Sequence, residues 1–153
     1  MRPLALILSI GLATTAHAAC TPPTQSAALL QQAADKVNGY RAAADLEPLQ
    51  INPTLANTAQ GHACDMATAG HLSHVGTNGS DLVRRLKAAG YAFRSANENV
   101  GQFTRSDPAD WWYNSTGHRA NMLSPKITEI GLGVALGADQ KLYWVMVGGS
   151  PKP

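Results

Sequence analysis

Three short polar clusters in this 153-residue chain contain side chains able to do chemistry. The first is His71 and His74, with Ser73 beside the latter. The second is Glu98, held between Asn97 and Asn99. The third is Ser115, His118 and Arg119. Neutral imidazoles and a carboxylate can bind a divalent metal, or they can move protons near neutral pH. A serine next to a histidine can act as a nucleophile. The patterns that make such roles specific are missing. There is no His-Glu-x-x-His pair, and no Gly-x-Ser-x-Gly turn places a serine at the head of a helix. The glycines of Glu129-Ile130-Gly131-Leu132-Gly133 are not a phosphate loop, because no helix follows them.

The surrounding segments position these clusters at helix ends and in turns, where a side chain can be aimed into a cleft. Leu29, Leu30, Ala33, Val37 and Tyr40 recur at helical spacing and predict a helix over about 26–44. Asn52-Pro53 is a cap followed by proline at the first helical position, and it starts a second helix that Gly70 ends. His62 and Cys64 lie on flanking faces of that helix. His71 to His74 form the loop that leaves it. Ser80 caps a short third helix to Ala89, with Arg84, Arg85 and Lys87 reading as a solvated face. Asp107-Pro108 begins a helix carrying Trp111, Trp112 and Tyr113, and Ser115 to Arg119 read as a turn. Ile130, Leu132, Val134 and Leu136 alternate with small residues, the period of a strand. Leu142 to Val147 is a continuous apolar run, so the two segments predict a hairpin. Helices first and strands last give an α+β domain with helices packed on an antiparallel sheet.

Composition narrows the possibilities. The chain is 44% apolar and 14% charged, which excludes a disordered segment or a long coiled coil. A formal charge of +2, with no basic cluster beyond Arg84-Arg85, gives no footprint for nucleic acid. Met1-Arg2, the apolar run Leu4 to Leu12 and the small residues of Ala16-His17-Ala18 read as a signal peptide over residues 1–18, leaving one domain over 19–153. The apolar run is too short to span a membrane, so no transmembrane anchor is expected. Two cysteines in an exported chain predict a Cys20–Cys64 bridge. The alternatives are two free thiols or an acylated Cys20.

Several longer pieces together resemble the CAP (SCP) superfamily of cysteine-rich secretory proteins, venom antigens and plant pathogenesis-related proteins, in its small bacterial branch. They are VNGYRAAADLEPLQINPTLANTAQGHACDMA, Ser73-His74, Glu98-Asn99-Val100, WWYNSTGHRANML, and EIGLGVA followed by YWVMVGG. The likeness runs from about Leu30 to Gly148. It implies an α-β-α sandwich with a central antiparallel sheet and a cleft lined by histidine and glutamate. Carried over position by position, His74 and His118 are the cleft histidines and Glu98 is its carboxylate. The second glutamate of many animal members is absent, since Trp112-Tyr113-Asn114-Ser115 stands in that helix.

The resemblance therefore implies a candidate triad, His74, Glu98 and His118, in an exported protein, secreted or periplasmic. Its expected role is a binding or interaction module, with zinc or another divalent metal as a weakly held candidate ion. The alternatives are a metal-assisted hydrolase acting on peptide or cell-envelope material, and a carrier of lipid or sterol using Trp111, Trp112, Trp144, Tyr91 and Phe93. A Ser115–His118–Glu98 nucleophilic arrangement is a further possibility. The expected partner is a small ligand, a lipid or an extracellular protein, and the expected state is a monomer. Arg119 is expected to pair with an acid such as Glu129, and Asn99 and Asn121 to satisfy backbone groups in turns.

Overall fold

A computed structural model of the chain describes residues 20, 22–104 and 107–153. The signal peptide read over residues 1–18 lies outside them. In order, the elements are α1 (Ser26–Ala42), β1 (Gln50–Ile51), α2 (Pro53–Ala69), α3 (Leu82–Ala88), β2 (Phe93–Phe103), α4 (Ala109–Asn114), α5 (Thr116–Met122), β3 (Glu129–Leu136) and β4 (Leu142–Pro151).

Local chemistry explains the helix boundaries. Asn52 Oδ1 accepts from the amides of Thr54 and Leu55 at 2.8 and 3.2 Å, satisfying two of the donors that open α2. Gly70, at φ +65°, stops the same helix in the left-handed conformation that favours glycine. Asp81, rather than Ser80, caps α3, accepting from Arg84 N at 2.8 Å. Ser80 N is already bonded to Asn78 Oδ1, so Ser80 belongs to the preceding turn. The segment read as a turn over Ser115–Arg119 is instead the start of α5.

The sheet order is β1-β3-β4-β2. The three long strands are antiparallel, while the two-residue β1 pairs parallel to β3, so the sheet is mixed rather than purely antiparallel. Both faces are covered, which makes an α-β-α sandwich. On one face Ile130, Leu132, Val134, Trp144 and Met146 pack under α1 and α4. On the other, Ala135, Val145 and Val147 pack under α2 with Leu55, Ala59 and Ala63. The small residues of β3 set the spacing on that side. A Cβ at Gly131 would collide with the backbone of Leu55 and Ala56, and one at Gly133 with the backbone of Ala59 and Gln60.

β2 was not visible as a strand in the sequence. Its residues, FRSANENVGQF, are largely polar, yet its backbone pairs with β4 from Phe93 to Phe103. The reason is tertiary: side chains from α3, α4 and α5 satisfy its polar groups, as described below. The disulfide Cys20–Cys64 is present, with a Cα separation of 5.3 Å, and it ties the lead-in to α1 onto α2.

Candidate functional site

β2 is an edge strand, because among the described residues β4 is its only strand neighbour. An uncovered edge presents a row of unpaired backbone groups. Here helix side chains cover it. Asn121 Nδ2 donates to Glu98 O at 3.2 Å, and Trp112 Nε1 donates to Val100 O at 3.1 Å. Asn97 Nδ2 donates to Asn121 O at 3.1 Å. The contacts expected of Asn99 and Asn121 are made, but from a strand and a helix rather than from turns. Asn121 Nδ2 donates to Asn99 Oδ1 at 2.8 Å, and Asn99 Nδ2 donates to His118 O at 2.9 Å. Asn99 is completely buried, so these bonds fix α5, and His118 with it, against the strand.

Consecutive strand residues point to opposite faces. Glu98 lies opposite Val147, on the α2 face, and Asn99 lies opposite Met146, on the α1 face. The site therefore straddles the sheet edge. His74 meets Glu98 from one side, and α5 brings His118 from the other. His74 Nδ1 is 2.9 Å from Glu98 Oε1. Glu98 Oε2 accepts from Arg85 Nη2 at 2.6 Å. The Glu98 side chain is 4% exposed and that of His74 is 58% exposed. His118 Nδ1 is 2.8 Å from Ser115 Oγ, and its ring lies against Trp111, with centroids 5.0 Å apart. Trp111 is itself half exposed and meets Phe103 edge-on.

The two imidazoles titrate in opposite directions. The hydrogen bond to Glu98 raises the pKa of His74 above the ordinary histidine range, against burial and the Arg85 charge. Burial, with the nearby His74 charge, holds His118 below it. The site thus favours one charged and one neutral imidazole in the same pH window.

Arg85 does not belong to the solvated face of α3. It follows Leu82 by three residues and precedes the buried Leu86, which places it on the flank of the inner stripe of α3. That spacing was the one available signal. Arg85 Nη1 also donates to Ser80 O at 2.8 Å and to His74 O at 3.2 Å, so one guanidinium fixes Glu98 and the loop carrying His74. His62 is buried, 2% exposed, with Nε2 2.8 Å from Ser73 O. Arg119 lies over the Tyr113 ring at 5.4 Å. Glu129 instead accepts from Tyr91 Oη at 2.5 Å and from Asn52 Nδ2 at 3.1 Å. Trp112 and Trp144 are fully buried core, so of the three tryptophans only Trp111 reaches the site's surface.

Among the described residues, no three His, Cys, Asp or Glu side chains are grouped so as to hold a metal ion. Both oxygens of Glu98 are engaged, one by a guanidinium. Glu98 thus orients His74 while Arg85 holds its second oxygen. Ser115 and His118 are in contact, but among the described residues no carboxylate is bonded to the His118 ring. No helix among the described residues is long and apolar enough to cross a membrane.

The chain is similar to several known proteins. It is 32% identical over 113 residues to the uncharacterized protein YkwD of Bacillus subtilis, an alignment covering 72% of this chain and 44% of that protein. It thus spans less than half the length of that relative. An extracellular protein of Bacillus anthracis containing an SCP domain superposes with a TM-score of 0.72 at 28% identity, over 80% of this chain and 40% of that one. A cysteine-rich secretory protein of Staphylococcus aureus gives a TM-score of 0.65 at 25% identity, over 84% and 40%. The profile of the cysteine-rich secretory protein family matches residues 34–147. Over most of its length, in sequence and in fold, this chain belongs to the CAP, or cysteine-rich secretory protein, family.

Proposed function

We propose that this domain is exported and acts as a binding module, whose recognition surface is the open face over the edge of β2 formed by His74, His118 and Trp111. The observation that carries this is the engagement of Glu98. Its two oxygens are bonded to Arg85 and His74 while the side chain is almost fully buried. A carboxylate held this way orients its partners. It is poorly placed to serve as a general base or as a third metal ligand. What reaches solvent is the outer edge of His74 and the ring of His118 beside an aromatic plane. Export is supported by the disulfide, which persists in oxidising compartments, and by the extracellular nature of the Bacillus anthracis relative.

The ligand is a small polar molecule or a polar segment of an extracellular protein. A divalent ion such as zinc would be held by His74 and His118, and would offer an open coordination position to a ligand oxygen or nitrogen. Zinc titration followed by the histidine ring signals in NMR tests this. His74 and His118 respond together, with a Kd in the micromolar range or weaker, and His118→Ala abolishes the response. Glu98→Gln weakens it by roughly 10–100-fold, the usual cost of losing an orienting carboxylate. Cleavage of a peptide library by the wild type, lost in Glu98→Gln with the fold intact, would replace the binding role with a hydrolytic one.

A further inference from the structure

A cavity lies between α2 and α3. Its volume is about 570 Å³, within the ~300–1,000 Å³ of small-molecule sites. His62 and Asp65 on α2, Ser80 in the connecting loop and Arg85 on α3 contribute to its lining. Among the described residues, two of these carry buried atoms without a hydrogen-bond partner, His62 Nδ1 and Arg85 Nε. Buried polar atoms are normally paired, so two orphans on the wall of one cavity call for an explanation.

Their chemistries are complementary. Ser73 O can only accept, so the proton of His62 sits on Nε2. Burial holds this ring neutral, which leaves Nδ1 as an acceptor. Arg85 Nε can only donate. The Arg85 charge is already answered by Glu98, and each oxygen of Asp65 accepts a hydrogen bond from Thr77, from its amide and hydroxyl at 2.8 and 2.5 Å. Neither an anion nor a cation is called for. A hydroxyl both donates and accepts while carrying no charge, and so answers both atoms.

We propose that this cavity binds a neutral polyhydroxyl molecule of monosaccharide size, with hydroxyls donating to His62 Nδ1 and accepting from Arg85 Nε. Both atoms are closed to bulk solvent, so binding includes a rotamer-scale movement of the Arg85 side chain. The cavity and the face over β2 share Arg85.

The test uses the oxidised chain with isotope-labelled histidine, titrated separately with glucose, N-acetylglucosamine and sorbitol. At least one produces a saturable shift at the His62 ring, with a Kd in the millimolar range or tighter. Gly61→Leu weakens that binding at least tenfold. Gly61 lines the cavity, and a Cβ there meets nothing within 4 Å, so the variant fills the space without disturbing α2, as a melting temperature no lower than that of the unsubstituted chain verifies. Three results each overturn the proposal: no saturable shift at His62 with any of the three compounds, shifts confined to His74 and His118, or equal binding in Gly61→Leu.

Discussion

Replacing Arg85 by methionine tests the physical core of the site. The Arg85 side chain is 11% exposed and donates to Glu98 at 2.6 Å, while Glu98 is 4% exposed. Removing the guanidinium leaves a carboxylate buried with one neutral or partly charged imidazole. Breaking a buried pair by deleting one partner costs about 3–5 kcal/mol. His74 offsets part of this, because its pKa is already raised and the Arg85 charge no longer opposes its protonation. Its ring is more than half exposed, so solvent screening keeps that offset small. The expected loss is therefore at the lower end, about 3 kcal/mol. For a domain of this size, that corresponds to a fall in Tm of roughly 10 °C. Urea denaturation at neutral pH measures it. The companion Glu98→Gln removes the other charge, and the double variant removes both, leaving no lone buried ion. The double variant is therefore more stable than the sum of the single losses by about 2 kcal/mol. Losses below 1 kcal/mol in the single variants, or strict additivity, would refute the assignment of Arg85 as the partner that makes Glu98 tolerable.

Other consequences follow from the same structure. Burial lowers the pKa of His62 and His118, so their contribution is fully present above the ordinary histidine value of 6.5 and is lost as pH falls through their folded values. His74 runs the other way, contributing below 6.5 and fading as pH rises through its raised value, but its exposure keeps this small. Net stability in urea therefore falls between neutral pH and about pH 5, and His62→Gln flattens the slope. Reduction of Cys20–Cys64, a bridge spanning 44 positions, lowers stability by up to about 4 kcal/mol in denaturation with and without reductant. Gly133→Ala drives a methyl into the backbone of Ala59 and Gln60, which cannot yield as a side chain would, so it costs about 3 kcal/mol in thermal unfolding.

Much of the scaffold is written locally. Asn52-Pro53 and Gly70 bound α2, the alternation of large and small residues makes β3, and two cysteines make one bridge, because caps, periodicity and pairing depend on neighbours in the chain or on simple counting. The quoted pieces also pointed to His74, Glu98 and His118, of which His74 and Glu98 stand in direct contact. Other features depended on the assembled chain. β2 is a strand although its sequence is polar, since its backbone pairs with β4 and its side chains find donors and acceptors on helices distant in sequence. Arg85 looked like any surface cation until packing of α3 turned its head toward a buried carboxylate. His62 became a core residue only when the loop carrying Ser73 closed over it. Local sequence decides where an element begins and which face is apolar, because those are short-range energies. Whether a polar side chain is buried and satisfied is decided by partners that only folding brings within about 3 Å.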